Sequence, residues 1–287
     1  MKSPKTYQYL PVVMLLLIVV GGTIYYRDLE ENVLILATTT SVENAGLFDI
    51  LIAEYARENQ VSIKIIARGT GAAIDLAERG EVDAILVHAP DLEMQFVNDG
   101  FGINRTTLWY NYFIIVGPEN DPAGAMNTTD LNDAFKKIKL SGEASETAFY
   151  SRGDESGTHI KELQIWANST IDIQNEKGNW YIETGSGMAA TLTITNENLG
   201  YSLSDLGTFL QLRENLAGFE LVVNEIPNDI TFNPYSYILI SPAKYSHVNV
   251  EEARLFLEFL KLESTNNLVR NYKVNNRTLF VPIGDLE

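Results

Sequence analysis

The 287-residue sequence contains no cysteine, which removes several kinds of chemistry at once. Disulfides, thiolate nucleophiles and cysteine-ligated zinc or iron–sulfur sites are excluded, as is a lipidated cysteine as a membrane tether. Histidine is also scarce, and His88, His159 and His247 show no HExxH spacing. We therefore predict no metal site and no catalytic zinc.

Positively charged residues are also scarce. The sequence has 21 Lys and Arg against 38 Asp and Glu, and its formal net charge is −17. Nucleic-acid partners are excluded, because neutralising phosphates requires a basic surface. The mean field of such a chain also repels small anions. Any anion site must therefore act locally, through backbone N–H groups, hydroxyls or a single arginine.

Long hydrophobic runs are absent except at the N-terminus, where Lys2 and Lys5 precede an uncharged run from Thr6 to Tyr26. A bilayer core needs about 20 helical residues, so residues 6–26 can span a membrane. We interpret residues 1–32 as an anchor, with a cleaved signal or a buried helix as alternatives. Positive charge before the run predicts that residues 28–287 lie on the extracytoplasmic face.

Between residues 33 and 100, apolar runs typical of buried strands alternate with helical periodicity. Strands are predicted at 33–37, 61–66 and 82–87, and helices around 47–55, at 71–79 and at 91–99. Gly80 and Gly100 follow the last two helices in the position of C-terminal caps. This βαβαβα order predicts a parallel sheet with right-handed crossovers.

A second α/β region follows, and we predict two lobes. Lobe I comprises residues 33–116 and 234–287, and lobe II comprises residues 117–233. Apolar strands near 108–116 and 232–240 are expected to cross between the lobes as a hinge. One continuous doubly wound sheet is the alternative.

Three loops rich in hydroxyls and glycine each lie between a predicted strand and a helix. They are Ala37-Thr38-Thr39-Thr40-Ser41, Arg68-Gly69-Thr70-Gly71 and Ser156-Gly157-Thr158. In open α/β sheets ligands bind where such loops meet, and helix N-termini favour anions. Singly, each loop also fits an ordinary helix cap. Together, and with Arg152 just before the third loop, they predict a small-anion site.

The segment from Arg152 to Thr158 has the pattern Arg-x-Asp-x-Ser-Gly-Thr, which resembles the anion motif of phosphate- and tungstate-type solute-binding proteins. Further blocks resemble the tungstate-specific (Tup-type) family of ABC importers, in family order across nearly all of residues 33–287. They are the first two loops above, Val87-His88-Ala89-Pro90, residues 151–159, residues 183–188, residues 200–205 and Leu279-Phe280-Val281-Pro282.

The resemblance implies an α/β, two-lobed periplasmic-binding-protein (Venus flytrap) type II fold that binds tungstate, or molybdate, without a cofactor. It also implies a monomer that serves an ABC transporter permease. The implied ligand residues are Arg152, Ser156, Gly157 and Thr158 from one lobe and Thr40, Ser41, Thr70 and Gly71 from the other. The N-terminal anchor departs from the cleaved signal of many relatives, which affects the expected localisation and not the expected ligand.

His88 bears on ligand selectivity. The resembling phosphate binders carry an aspartate at this turn, which accepts the proton of hydrogen phosphate. Tungstate, molybdate and sulfate carry no proton near neutral pH, so we interpret His88 as disfavouring phosphate. The alternative is a histidine that is simply packed at a strand end. This reasoning does not separate the three unprotonated dianions.

Other functions are less compatible with the sequence. Ser156 and His159 lie three residues apart on one helix, which is not a nucleophile–base arrangement, so we predict no enzymatic activity. A phosphate-, molybdate- or sulfate-binding protein and a membrane-anchored sensor lobe remain as alternatives.

Overall fold

The computed structural model describes residues 33–59, 61–216 and 218–286. The predicted anchor at residues 1–32 lies outside the described part of the chain. Within the described part, no helix combines the length and the apolar character needed to cross a membrane.

The first sheet is built from the predicted βαβ units. Its strands β1 (Val33–Thr39), β2 (Ser62–Arg68) and β3 (Ala84–Val87) pair in parallel, with β1 in the middle. The helices are α1 (Thr40–Asn44), α2 (Leu47–Asn59), α3 (Thr70–Glu78) and α4 (Pro90–Asn98). The parallel arrangement is as predicted. The first strand continues through Thr39, so Thr38 and Thr39 belong to the strand and not to the loop.

One long strand, β4 (Gly102–Pro118), belongs to both lobes. Its first part pairs with β9 (Phe232–Ile240) and β12 (Val281–Pro282). Its last part pairs with β7 (Ser202–Asp205) and β8 (Leu221–Asn224). The prediction of a two-lobed α/β fold with two crossing strands is thus confirmed. Every pairing of β4 is antiparallel, unlike the largely parallel doubly wound alternative.

The second lobe adds a parallel pair, β5 (Phe149–Ser151) and β6 (Tyr181–Glu183), and Phe149 forms a bridge to Tyr201 just before β7. Its helices are α5 (Leu131–Glu143), α6 (Gly157–Asn168), α7 (Ile173–Glu176), α8 (Met188–Glu197) and α9 (Leu206–Asn215). The first lobe is completed by α10 (Val250–Lys261), α11 (Glu263–Asn271), the hairpin β10 (Lys273–Val274) and β11 (Arg277–Thr278), and a short 3-10 turn, Ile283–Asp285.

Each lobe has its own apolar core. In the second lobe Phe135, Phe149 and Trp166 are fully buried and pack edge to face or tilted, with Phe135 and Trp166 centroids 4.5 Å apart. In the first lobe Phe256 of α10 packs on Tyr55 of α2, with centroids 4.9 Å apart. Aromatic pairs in these arrangements add stability beyond the area they bury.

Helix α9 packs in the core of the first lobe. Its buried residues Phe209 and Leu210 belong to the same apolar cluster as Leu47 and Phe48 of the first lobe. A Cβ added at Gly207 would lie 3.2 Å from the Cβ of Ala45, so this helix approaches the first lobe closely. The lobe II range 117–233 stays a prediction, and α9 is one part of that range that contacts the first lobe.

Two substitutions on α5 test the core of the second lobe. Ile138 is 0% exposed and Leu140 is 65% exposed. We expect Ile138→Ala to lower the free energy of unfolding by about 2–5 kcal/mol, because it leaves a cavity. Leu140→Ala removes the same number of carbons from solvent-exposed surface and should change it by less than about 0.5 kcal/mol. Urea denaturation measures both; equal losses would contradict this assignment of the core.

Candidate functional site

Strand register brings the first-lobe residues of the predicted site to one edge of the sheet. Thr39 at the end of β1 pairs with Arg68 at the end of β2, and Thr38 pairs with Leu86 of β3. The loops that follow these strands, which contain Thr40 and Thr70, therefore start side by side at the same edge of the sheet. Ser41 and Thr70 are buried, with 2% and 1% exposed.

Helices α1 and α3 both begin at this edge, so their N-termini lie there. Helix α3 starts after Gly69, which supplies no side-chain cap. A Cβ added at Gly69 or Gly71 would meet nothing within 4 Å, so the backbone here borders open space. At α1 the Thr39 hydroxyl accepts the Val42 N–H at 3.4 Å. First-turn N–H groups without protein partners suit an anionic ligand.

Arg152 is the principal cation on the second-lobe side, directly after β5. Its side chain is 5% exposed, and Nη2 donates to Asp154 Oδ2 at 2.5 Å. Its Nε is buried and finds no hydrogen-bond partner among the described residues. Arg152 therefore forms an ion pair with Asp154 that leaves part of the guanidinium unsatisfied. A buried N–H without an acceptor costs about 1–3 kcal/mol, or more when charged, so this group is a candidate donor to a ligand.

The turn from Arg152 to helix α6 is held in an uncommon conformation. Gly153 and Glu155 have φ of +59° and +57°, and the Ser156 N–H donates to Asp154 Oδ1 at 3.2 Å. The Ser156 hydroxyl accepts the His159 N–H at 3.4 Å and so caps α6. Thr158 Oγ1 is buried with no partner in the described part of the chain. Thr158 thus offers an unsatisfied hydroxyl in addition to Arg152 Nε.

The two lobes meet at Gly157. A Cβ added there would lie 3.1 Å from Thr70 Oγ1, 3.5 Å from the His88 carbonyl oxygen and 3.7 Å from His88 Cε1. The cleft is therefore closed over the site. Its mouth is a cavity of about 180 Å³. The lining residues are His88, Ala89, Pro90, Asp91 and Leu92 from the first lobe and Gly157, Ile160, Lys161 and Gln164 from the second.

His88 is packed and also borders the cleft. Only 4% of it is exposed, its ring stacks on Tyr235 with centroids 4.7 Å apart, and Nδ1 lies 2.9 Å from Asn233 Oδ1. Burial lowers the pKa of His88 to about 4, and hydrogen bonding to Asn233 offsets this only in part. The imidazole is neutral at neutral pH, so His88 places neither a carboxylate nor a cation at the cleft.

One contributor to the site was not among the predicted ligand residues. The segment before α8 runs along the Arg152 loop: Ser186 N–H donates to the Arg152 carbonyl at 3.3 Å, and Thr184 N–H to the Ser151 carbonyl at 2.9 Å. Helix α8 begins after Gly187, which gives no side-chain cap and has open space around it. The sequence feature that could have identified this segment is the glycine-rich run 185–187, which stands directly before a helix.

Across residues 33–59, 61–216 and 218–286, no group of three or more His, Asp or Glu side chains could hold a metal ion. The groups gathered at the cleft are instead hydrogen-bond donors: a guanidinium, hydroxyls and helix N–H groups. Donors of this kind complement an oxyanion that carries no proton. The fold and site together define a two-lobed binding protein for a small anion.

The model of the PBP superfamily domain matches residues 23–263. A tungstate-binding protein TupA from Peptoclostridium acidaminophilum is 37% identical over 241 residues, covering 83% of this chain and 81% of that protein. The chain belongs to the PBP superfamily and, within it, to the family that contains the TupA proteins.

Solved structures agree with this assignment. The crystal structure of the tungstate ABC transporter from Geobacter sulfurreducens is 38% identical with a TM-score of 0.75, covering 84% of this chain and 98% of that one. The tungstate-binding protein TupA from Desulfovibrio alaskensis G20 is 36% identical with a TM-score of 0.74, covering 88% and 98%.

Gly157 gives a test of the closed cleft. We expect Gly157→Ala to weaken anion binding by about 1–3 kcal/mol, because the added methyl meets Thr70 Oγ1 across the cleft. The free energy of unfolding of Gly157→Ala should not fall. The new contact lies between the lobes, and alanine has a higher helix propensity than glycine at the first position of α6. Calorimetric titration and urea denaturation measure the two effects. Gly284→Ala is the control, because its Cβ meets nothing within 4 Å; equal affinity in both variants would contradict the closed cleft.

Proposed function

We propose that this chain is the solute-binding component of an ABC importer, which captures tungstate between its lobes and delivers it to the permease. The observation that carries the proposal is the pair of unsatisfied buried donors, Arg152 Nε and Thr158 Oγ1, on the segment that meets the first lobe at Gly157. The family relationship supports it, because relatives of 36–38% identity are named for tungstate.

In this proposal the anion is held from both sides. Arg152, Ser156, Gly157 and Thr158 donate from the second lobe. Thr40, Ser41, Thr70 and Gly71 donate from the first, through hydroxyls and helix N–H groups. Arg152 supplies the fixed positive charge and hydrogen-bonds the oxygens of a tetrahedral dianion. The ligand is bound and released without covalent change, so we infer that the protein is not an enzyme.

The site chemistry favours an unprotonated dianion. Hydrogen phosphate carries a proton and needs an acceptor, whereas tungstate offers only oxygen acceptors. At the turn where phosphate binders place an aspartate, the buried neutral His88 brings no carboxylate charge. The preference for tungstate over molybdate or sulfate rests on the relatives and not on this electrostatic reasoning.

The proposed setting is the extracytoplasmic face of the cell membrane. Residues 6–26 act as the anchor in this proposal, and the binding lobes act as a monomer. Anion binding holds the lobes together, and the closed form is the one that docks on the permease.

A panel of anions tests the proposal. The full-length protein in mild detergent is titrated calorimetrically with tungstate, molybdate, sulfate and phosphate near neutral pH. We expect tungstate to bind most tightly and phosphate most weakly. Binding of none of the four would refute an oxyanion carrier, and preference for phosphate would refute the interpretation of His88.

Arg152 provides the residue-level test. We expect Arg152→Ala to weaken tungstate binding by about 1.5–3 kcal/mol, the scale of a hydrogen bond to a charged group. Arg79→Ala is the matched control, because Arg79 pairs with Glu81 on the surface and both side chains are about half exposed. Calorimetry on both variants gives the difference; unchanged affinity for Arg152→Ala would place this residue outside the site.

A further inference from the structure

A buried polar network lies where the two long strands cross between the lobes. Asn111 of β4 and Asn233 of β9 are directly paired. Immediately before Asn111, β4 pairs with β12 of the first lobe through Tyr110. Two residues after Asn111, β4 pairs with β7 through Phe113. The two asparagines therefore sit at the point where the strand passes from one lobe to the other.

The hydrogen bonds of this network have defined directions. Asn233 Nδ2 donates to Asn111 Oδ1 at 2.8 Å and to the Tyr235 hydroxyl at 3.0 Å. Its Nδ2 is thereby occupied, and Oδ1 faces His88 Nδ1 at 2.9 Å. An amide oxygen only accepts, so His88 Nδ1 carries the proton and donates. In a neutral ring, Nε2 then carries the lone pair.

The network is inaccessible to water. Asn111, Asn233, His88 and Tyr235 are 5%, 1%, 4% and 1% exposed. Buried amides without partners are costly, so removing one member leaves the others unsatisfied. His88 consequently has little freedom to rotate, and stacking on Tyr235 fixes the plane of its ring.

The His88 ring also borders the other lobe, through the carbon Cε1 next to Nδ1. Its Cε1 lies 3.7 Å from the position a Cβ would take on Gly157, which in turn is 3.1 Å from Thr70 Oγ1. A histidine whose Nδ1 is bound at the hinge thus presents the adjacent Cε1 to the ligand cleft. Hinge and cleft are joined through one side chain.

We propose that Asn233 is a positioning residue, which fixes the tautomer and orientation of His88 and so couples the strand crossing to closure of the anion cleft. This inference rests on the proposed function for its ligand. Asn111 orients the Asn233 amide. Loss of Asn233 frees His88, so the closed lobes separate more readily and the anion leaves faster.

A double-mutant cycle tests whether Asn233 acts through His88. Tungstate dissociation from the full-length protein is followed by stopped-flow fluorescence for Asn233→Ala, His88→Ala and the double variant. We expect Asn233→Ala alone to speed dissociation about ten-fold and to have less than about a two-fold effect when His88 is already alanine. Equal effects in both backgrounds would overturn the proposal. Where another anion of the panel binds more tightly, that anion replaces tungstate.

Asn224→Ala is the matched control. Asn224 is also a strand asparagine, but its amide donates to the carbonyls of Ala125 and Thr128 within the second lobe. We expect dissociation to be unchanged in either background. A ten-fold acceleration here would mean that any lost asparagine loosens the lobes, and the proposal would fall.

The tautomer is measured without any ligand and without relying on Asn233 variants. In ¹⁵N-histidine spectra of the wild-type protein at neutral pH, the His88 resonances are identified by their loss in His88→Ala. We expect Nδ1 to be protonated and Nε2 not. The opposite tautomer would overturn the proposal even if tungstate binds as expected. Detection of the Nδ1–H tautomer would support the role of Asn233 in positioning His88 even if none of the four anions binds.

Discussion

Hydrogen-bond donors enclosed between the lobes need an acceptor, and this requirement relates the sequence motif, the fold and the ligand. Arg152 Nε, directly after β5, and Thr158 Oγ1, in the first turn of α6, are buried and lack partners in the described residues. In a closed protein interior such groups are costly unless something accepts from them. A tetrahedral oxyanion offers four acceptor oxygens in the space available, whereas a metal ion offers none.

The chain's acidity makes closure of the cleft important. A net charge of −17 gives a mean field that opposes capture of any anion. Salt screens that field over roughly 8–10 Å, whereas contacts inside a cleft without bulk water are screened far less. The close approach of Gly157 to Thr70 and His88 brings the two lobes together in this region. Under the proposed function, affinity therefore depends on local donors that act most strongly while the lobes are shut.

Local sequence patterns predicted much of the fold. In the βαβ units of the first lobe, apolar periodicity marks the strands and helices, and glycines mark the ends of helices. The same is true of the loops around Thr40, Thr70 and Ser156, where caps follow strand ends. The three- and four-residue strands β5 to β8 carry too little pattern to be predicted. Partners such as Asn233 for His88, 145 residues apart, depend on tertiary pairing that one sequence does not encode locally. The packing of α9 on the first lobe was missed for the same reason.

Asp154 explains why a carboxylate is present in a site for anions. It accepts from Arg152 Nη2 at 2.5 Å and from the Ser156 N–H at 3.2 Å, so it fixes both the guanidinium and the turn. The opposed charges of Arg152 and Asp154 nearly cancel, and attraction by net charge alone is consequently weak. Discrimination then depends on how well the ligand's oxygens meet donors already held in place, which is the advantage of preorganised sites. A site built in this way distinguishes anions by geometry and protonation more than by charge.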